Sequence, residues 1–204
     1  MNKIRLENLS DGVFAIIMTL LVIEIHIPEM PEGSTLLNGL WHLKPLFLSY
    51  FLSFFILVMF WIQHHALFHF FTKTVNRQLV LLNMIHLSFL CLIPFSANLL
   101  GSHLDSQTAM MAYGLNVLAA SLMARYIFDY ALTSKEIEKH IITTRMIKQA
   151  KIRLSITPAL AVVGIIIGFF NSYLAAFFFI FPILFNIIPG GLDYMEKVFK
   201  LDLN

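Results

Sequence analysis

The sequence predicts an all-α integral membrane protein, one domain over residues 1–204 with six transmembrane helices per subunit. Three observations carry this prediction. First, 58% of the residues are hydrophobic and 13% are charged, against about 45–50% and about 25% in soluble domains. Second, the apolar residues collect into runs long enough to cross a bilayer, which takes roughly 20 residues. Third, the basic residues fall almost entirely on alternate connections, as in proteins oriented by the positive-inside rule. The net charge of +2 gives no basis for nucleic-acid binding, and the single Cys91 excludes an internal disulfide.

The expected spans are about 8–27, 45–70, 79–100, 108–132, 154–171 and 173–191. Pro28, Pro31 and Gly33 close the first, and Pro45 suits the first turn of the second. Lys73, Asn76 and Arg77 mark the next turn, and residues 101–105 make a polar loop. Residues 133–153 form one long charged stretch, of which Lys135 to Lys151 is expected to lie as a solvated amphipathic segment on the inner surface against anionic lipid. Asn171 and Ser172 make the tightest turn. Pro94, Pro158 and Pro182 fall inside spans, where each removes a backbone hydrogen bond. Gly164 and Gly168 form a small-xxx-small face for close helix contact.

With the N-terminus inside, the inner segments hold Lys3, Arg5, Lys73, Arg77, Lys135, Lys139, Arg145, Lys148, Lys151, Arg153, Lys197 and Lys200. The outer loops hold only Lys44. Arg125 sits near an inner end, one turn from Asp129. Both termini are therefore expected in the cytoplasm. Lys3 and Arg5 could head a signal peptide, but no A-x-A-like site follows, so none is expected.

The first span differs from the others. Its charge-free run is residues 12–23, interrupted by Thr19 and followed by Glu24. An acid at membrane depth points to a cavity or an ion route. At about 100° per residue, Leu20 and Ile23 lie within about 40° of Ile16, while Asp11 lies about 140° away. If Ile16 faces an axis, Asp11 points into the surrounding helices. Spacing alone leaves a second reading open, because such a stripe is more often a packing face.

The opening stretch, RLENLSDGVFAIIMTLLVIEI from Arg5, resembles the R-x-x-x-F-S-D signature of a potassium-channel family, transmembrane protein 175. Arg5, Ser10 and Asp11 match, and Leu9 stands where the family usually has Phe. The stretch WIQHHALF from Trp61 is similar to the family's W-x-x-H-H pattern, and NMIHLSFLCLIPFSANLL from Asn83 to its third helix. The resemblance implies a homotetramer with a central pore lined by the first helix, without a T-V-G-Y-G filter. It places the constricting isoleucine on Ile16, further apolar layers on Leu20 and Ile23, and a pore-flanking threonine on Thr19. It makes Arg5, Ser10 and Asp11 an inner structural lock with Trp61, His64, His65 and Asn83 as partners.

The expected function is a potassium-permeable cation channel with modest preference for potassium over sodium and with protons as a further permeant. An Ile16 ring would gate by dewetting, and four Glu24 carboxylates at the outer mouth would concentrate cations. The expected partners are monovalent cations, membrane lipids and three further copies of the chain. No cofactor, metal or nucleic acid is expected, and the location is a prokaryotic plasma membrane. The alternatives are a secondary transporter, which also uses broken helices, a haem or quinone carrier using His65 and His86, and a metal enzyme. His64, His65, His69 and His86 make one partial box without accompanying carboxylates, which disfavours the enzyme.

Overall fold

The computed structural model describes residues 2–26 and 35–187, the side chain of Ile187 excepted. The described residues form eight α-helices: α1 (Lys3–Ile23), α2 (Leu36–His42), α3 (Lys44–Ala66), α4 (Arg77–Cys91), α5 (Ile93–Ser102), α6 (Gln107–Thr133), α7 (Thr144–Gly168) and α8 (Ser172–Ile187). A π-helical turn over Leu67–Phe71 extends α3. The described residues are thus all-α in their regular structure, as composition and apolar run length predict. Helix α1, α3 with its π turn, α4 with α5, α6 and α7 are each long and apolar enough to cross a membrane, and α8 is a shorter apolar helix. The expected sixth span, 173–191, lies partly outside the described residues.

Local chemistry fixes the boundaries. Asn2, Thr35, Asn76, Ser106 and Thr143 each accept a hydrogen bond from a backbone N–H of the helix that they precede. These side chains satisfy donors that the first turn leaves without partners. Pro45 occupies the first turn of α3. Pro94 stands at the start of α5, so the third span is two helices meeting at Leu92. Pro158 and Pro182, by contrast, sit inside α7 and α8.

The charged stretch has contacts that its charge pattern does not announce. Residues 134–143 are pinned on the turn before α4: Lys73 N–H donates to the Glu138 carbonyl at 2.7 Å, and Glu138 N–H to Thr74 Oγ1 at 2.9 Å. The Asn76 amide reaches both the Tyr130 hydroxyl (2.7 Å) and the Glu136 carboxylate (2.8 Å). From Thr144 the chain is already helical, so the expected span 154–171 is the later part of a longer helix. Arg145, Lys148, Lys151 and Arg153 ride on its first turns, which project beyond the apolar half. Asp129 meets Arg125 on α6 and Lys151 on α7, the latter at 3.4 Å.

Small residues set the closest approaches. A Cβ on Gly164 would stand 2.9 Å from the Phe179 ring, and one on Gly168 would stand 2.8 Å from Met110. The face that the sequence offers for contact is therefore the seam of α7 with α8 and α6. Buried Tyr113 takes the edge of Phe179 at 5.5 Å and shares a 3.1 Å hydrogen bond with Ser53. Helix α3 packs against α1, α5 and α8 and leaves Phe51 and Phe55 exposed on its other side, whereas α1 touches chiefly α3, α4 and α5. That placement decides what the candidate site looks like.

Candidate functional site

Helix α1 has two apolar faces, and one chain covers only one of them. Leu6, Ser10, Phe14, Ile17 and Leu21, spaced three or four apart, are buried against the bundle. On the other side Ile16 is 59% exposed, Leu20 40% and Ile23 61%. Gly12 is exposed too, and nothing lies within 4 Å of where its Cβ would be. Thr19 shares this exposed side, and its hydroxyl donates to the Ile16 carbonyl at 2.7 Å. The hydroxyl proton being used within the helix, the oxygen faces outward as an acceptor. The residues that sequence spacing puts on one face are thus together, on a surface left open by the rest of the chain.

The buried face carries a polar chain. Ser10 Oγ donates to the Leu6 carbonyl (2.9 Å) and accepts from Asn83 Nδ2 (2.9 Å). Asn83 Oδ1 then faces His64 Nε2 at 3.0 Å. An amide oxygen only accepts, so Nε2 of His64 carries the proton. Ser10 and Asn83 are both 0% exposed. Phe14 closes on His64 edge-on at 5.6 Å, and Phe68 lies 4.6 Å from the same ring. A second link runs beside it: Trp61 Nε1 donates to Asp11 Oδ1 at 2.9 Å. His65 stacks on Trp61 at 5.7 Å and on His69 at 5.3 Å.

The structure therefore brings Ser10, Asn83 and His64 into one chain, and Asp11, Trp61 and His65 into another. Arg5 is exposed and joins neither among the described residues. The basic residue that ties down the start of α1 is instead Lys3, whose ammonium donates to the Thr72 carbonyl at 2.9 Å and lies 3.8 Å from Glu7. Nothing in the spacing of Lys3 marks it, because its partner lies 69 positions along the chain.

His86 is buried against Phe60, and its Nδ1 has no hydrogen-bond partner among the described residues. It lines a cavity of about 20 Å³ together with Gln63, His64 and Asn83, room for about one water. His65 is exposed and His86 buried, so the two do not face a common ligand. Among the described residues no three of His, Cys, Asp and Glu converge on a point that could hold a metal.

At the C-terminal end of α1, Glu24 is exposed, but its carboxylate is not free. Asn98 Nδ2 donates to Glu24 Oε2 at 2.6 Å and approaches the Glu24 carbonyl at 3.4 Å, and Ser102 Oγ donates to Asn98 Oδ1 at 3.0 Å. Sequence reasoning missed Asn98 and Ser102, since they look like ordinary polar residues near the end of a span.

The family described as "Endosomal/lysosomal potassium channel TMEM175" matches residues 5–94, which include every residue of the two polar chains. A protein of Chryseobacterium sp. strain P1-3 named as a potassium channel is 32% identical over 200 residues, covering 98% of this chain and 99% of that one. The chicken endosomal/lysosomal proton channel TMEM175 is 36% identical over 107 residues, 48% of this chain and 21% of that longer one. In three dimensions the chain resembles the crystal structure of a lysosomal potassium-selective channel TMEM175 homologue from Chamaesiphon minutus. The TM-score is 0.80 at 25% identity, over 91% of this chain and 98% of that one. Near full-length similarity and a shared architecture lead to one conclusion: this chain belongs to the TMEM175 channel family.

Proposed function

We propose that the chain is a potassium-permeable cation channel, not an enzyme, and that four copies surround a pore lined by α1. The reading rests above all on the two-faced first helix. Its polar groups bond inward to α3 and α4, while Ile16, Leu20 and Ile23 stay uncovered. The named relatives, a potassium channel and a potassium-selective channel, agree with it.

In this reading four Ile16 side chains form a dry ring, with Leu20 and Ile23 as further apolar layers. Water leaves such a ring when it narrows, and a small rotation of α1 rewets it. Potassium, which holds its water less tightly than sodium, passes more readily, so selectivity is modest. Thr19 oxygens replace part of the lost water. Glu24 carboxylates gather cations at the outer mouth. The Ser10–Asn83–His64 and Asp11–Trp61 links hold the helix in register, and Arg5 reaches a neighbouring subunit or the membrane surface. Protons are a further permeant, as in the chicken relative named a proton channel. The alternation of Lys and Arg supports cytoplasmic termini, and the bacterial relatives support a prokaryotic plasma membrane. Membrane lipids cover the outward apolar faces.

The test is flux in liposomes with potassium or sodium as the only permeant ion. The wild type passes potassium faster than sodium, in discrete single-channel steps. Ile16→Asn, which wets the ring, raises potassium flux and narrows the difference between the ions. Unchanged flux in Ile16→Asn removes the constriction from this helix, and saturable flux without unitary steps makes the protein a carrier.

A further inference from the structure

We propose that Asn98 is the positioning residue of the outer mouth: it holds the Glu24 carboxylate and the last turn of α1 in place, so cation entry depends on a side chain off the pathway. The proposal rests on the reading of Glu24 as a cation-gathering group. It goes further by naming what aims that group.

The geometry is specific. One amide nitrogen of Asn98 serves both oxygens that the end of α1 presents, the Glu24 carboxylate at 2.6 Å and the Glu24 carbonyl at 3.4 Å. The last carbonyls of a helix have no partner within it, so the second contact stitches the helix end and the first aims its side chain. A charge-assisted bond of this kind is roughly twice as strong as a neutral one. The orientation of the amide is itself determined. The Glu24 carboxylate only accepts, so the NH₂ group faces it, and Ser102 Oγ then donates to the amide oxygen on the other side. A flipped amide would set its oxygen against the carboxylate. Ile23, one position before Glu24, is 61% exposed on the open face of α1. Holding Glu24 therefore also fixes the direction in which Ile23 points.

Asn98 belongs to α5, which begins after the break at Leu92–Pro94 rather than continuing α4 rigidly. The clamp thus joins the end of α1 to a short helix that is set off from α4 by its own break and is packed on α3 and α6. Without the clamp the carboxylate samples several rotamers, and its field at the mouth is spread.

The experiment uses the full-length protein in planar bilayers or liposomes. Single-channel potassium conductance is read at about 20 mM and at about 1 M salt, concentrations between which the screening length falls from roughly 20 Å to 3 Å. Glu24→Gln lowers low-salt conductance by about two- to fivefold, the range that one exposed charge interaction supports. Asn98→Leu, close in volume but without the amide, lowers it by a similar factor. The double variant falls no further, because both changes remove the same aimed charge. At 1 M salt all three approach the wild type.

Ser102→Ala, at an exposed position, lowers low-salt conductance in the same direction by a smaller factor. It carries the test if Asn98→Leu does not assemble. Wild-type conductance at low salt in Asn98→Leu, or in Ser102→Ala where only that variant assembles, overturns the proposal while Glu24→Gln still shows its loss. So does an equal loss at both salt concentrations, which marks a structural contact without an electrostatic role. If Glu24→Gln itself leaves low-salt conductance unchanged, the outer-mouth reading fails instead.

Discussion

Replacing Asn83 with Leu removes the centre of the buried polar chain while keeping side-chain volume close to the original. Two hydrogen bonds go at once, the one to Ser10 Oγ and the one to His64 Nε2. Each is worth about 0.5–1.5 kcal/mol net, and a buried donor left without a partner costs about 1–3 kcal/mol. The two losses are unequal. Ser10 keeps its bond to the Leu6 carbonyl, so its hydroxyl proton stays satisfied. His64 is buried and has no second partner for Nε2 among the described residues. The expected total is about 2–4 kcal/mol of lost stability. Ser10→Ala strands one N–H of the Asn83 amide and is expected to cost about 1–3 kcal/mol. Because both variants cut the same bond, the double variant costs less than the sum by more than about 0.5 kcal/mol. The assay is equilibrium unfolding in mixed detergent micelles, followed by helical circular dichroism and run beside potassium flux. Flux should change as well, since α1 is then held to α3 and α4 by fewer bonds. If Asn83→Leu lies within about 0.5 kcal/mol of the wild type, like an ordinary surface substitution, the chain is not what holds α1 in place.

Other expectations follow from the same contacts. Asp11→Asn keeps an acceptor for Trp61 Nε1 and should leave flux near wild type, whereas Asp11→Ala removes it and should disturb assembly or gating with little change in the potassium-to-sodium ratio. Gly164→Ala forces a Cβ to within 2.9 Å of the Phe179 ring and should cost about 1–3 kcal/mol in the same unfolding assay. Gly12→Ala meets nothing within 4 Å among the described residues, so it should leave the subunit fold intact; loss of the proposed tetramer on native gels then reports a partner packed on that face. A high-resolution structure should show one ordered water at Nδ1 of His86, and an empty cavity there contradicts the assignment.

The sequence made α1 legible because its information is local. The stripe of Ile16, Leu20 and Ile23 follows from residue spacing, and the Arg5–Asp11 cluster marks where the apolar run begins. Pro94 announced the break between α4 and α5 because ring chemistry acts within a turn or two. Gly164 and Gly168 announced a close contact, though not that Phe179 and Met110 fill it. What stayed hidden is non-local. The Asn98–Glu24 bond joins positions 74 apart, and although Glu24 stands out at membrane depth, Asn98 does not. Residues 134–143 read as part of a solvated charged stretch, but their backbone and carboxylate bonds fall on a turn 60 or more positions earlier. The start of α7 was missed for a different reason. Hydropathy stops where charge begins, but a helix does not, provided that its charged turns lie outside the hydrocarbon. Arg5 shows the limit of a single chain. The family resemblance implied a place in the lock for it, and its exposure leaves it facing whatever lies beyond the subunit.

The account stands on the open face of α1 lining the ion path. In a Cys91→Ser background, Ile16→Cys and Ile17→Cys channels are reconstituted and exposed to silver ions, which thiolates bind avidly. Silver entering by the cation route should block potassium flux through Ile16→Cys and spare Ile17→Cys, whose side chain is buried against the bundle. Block of both alike, or of neither, contradicts a pore on this face.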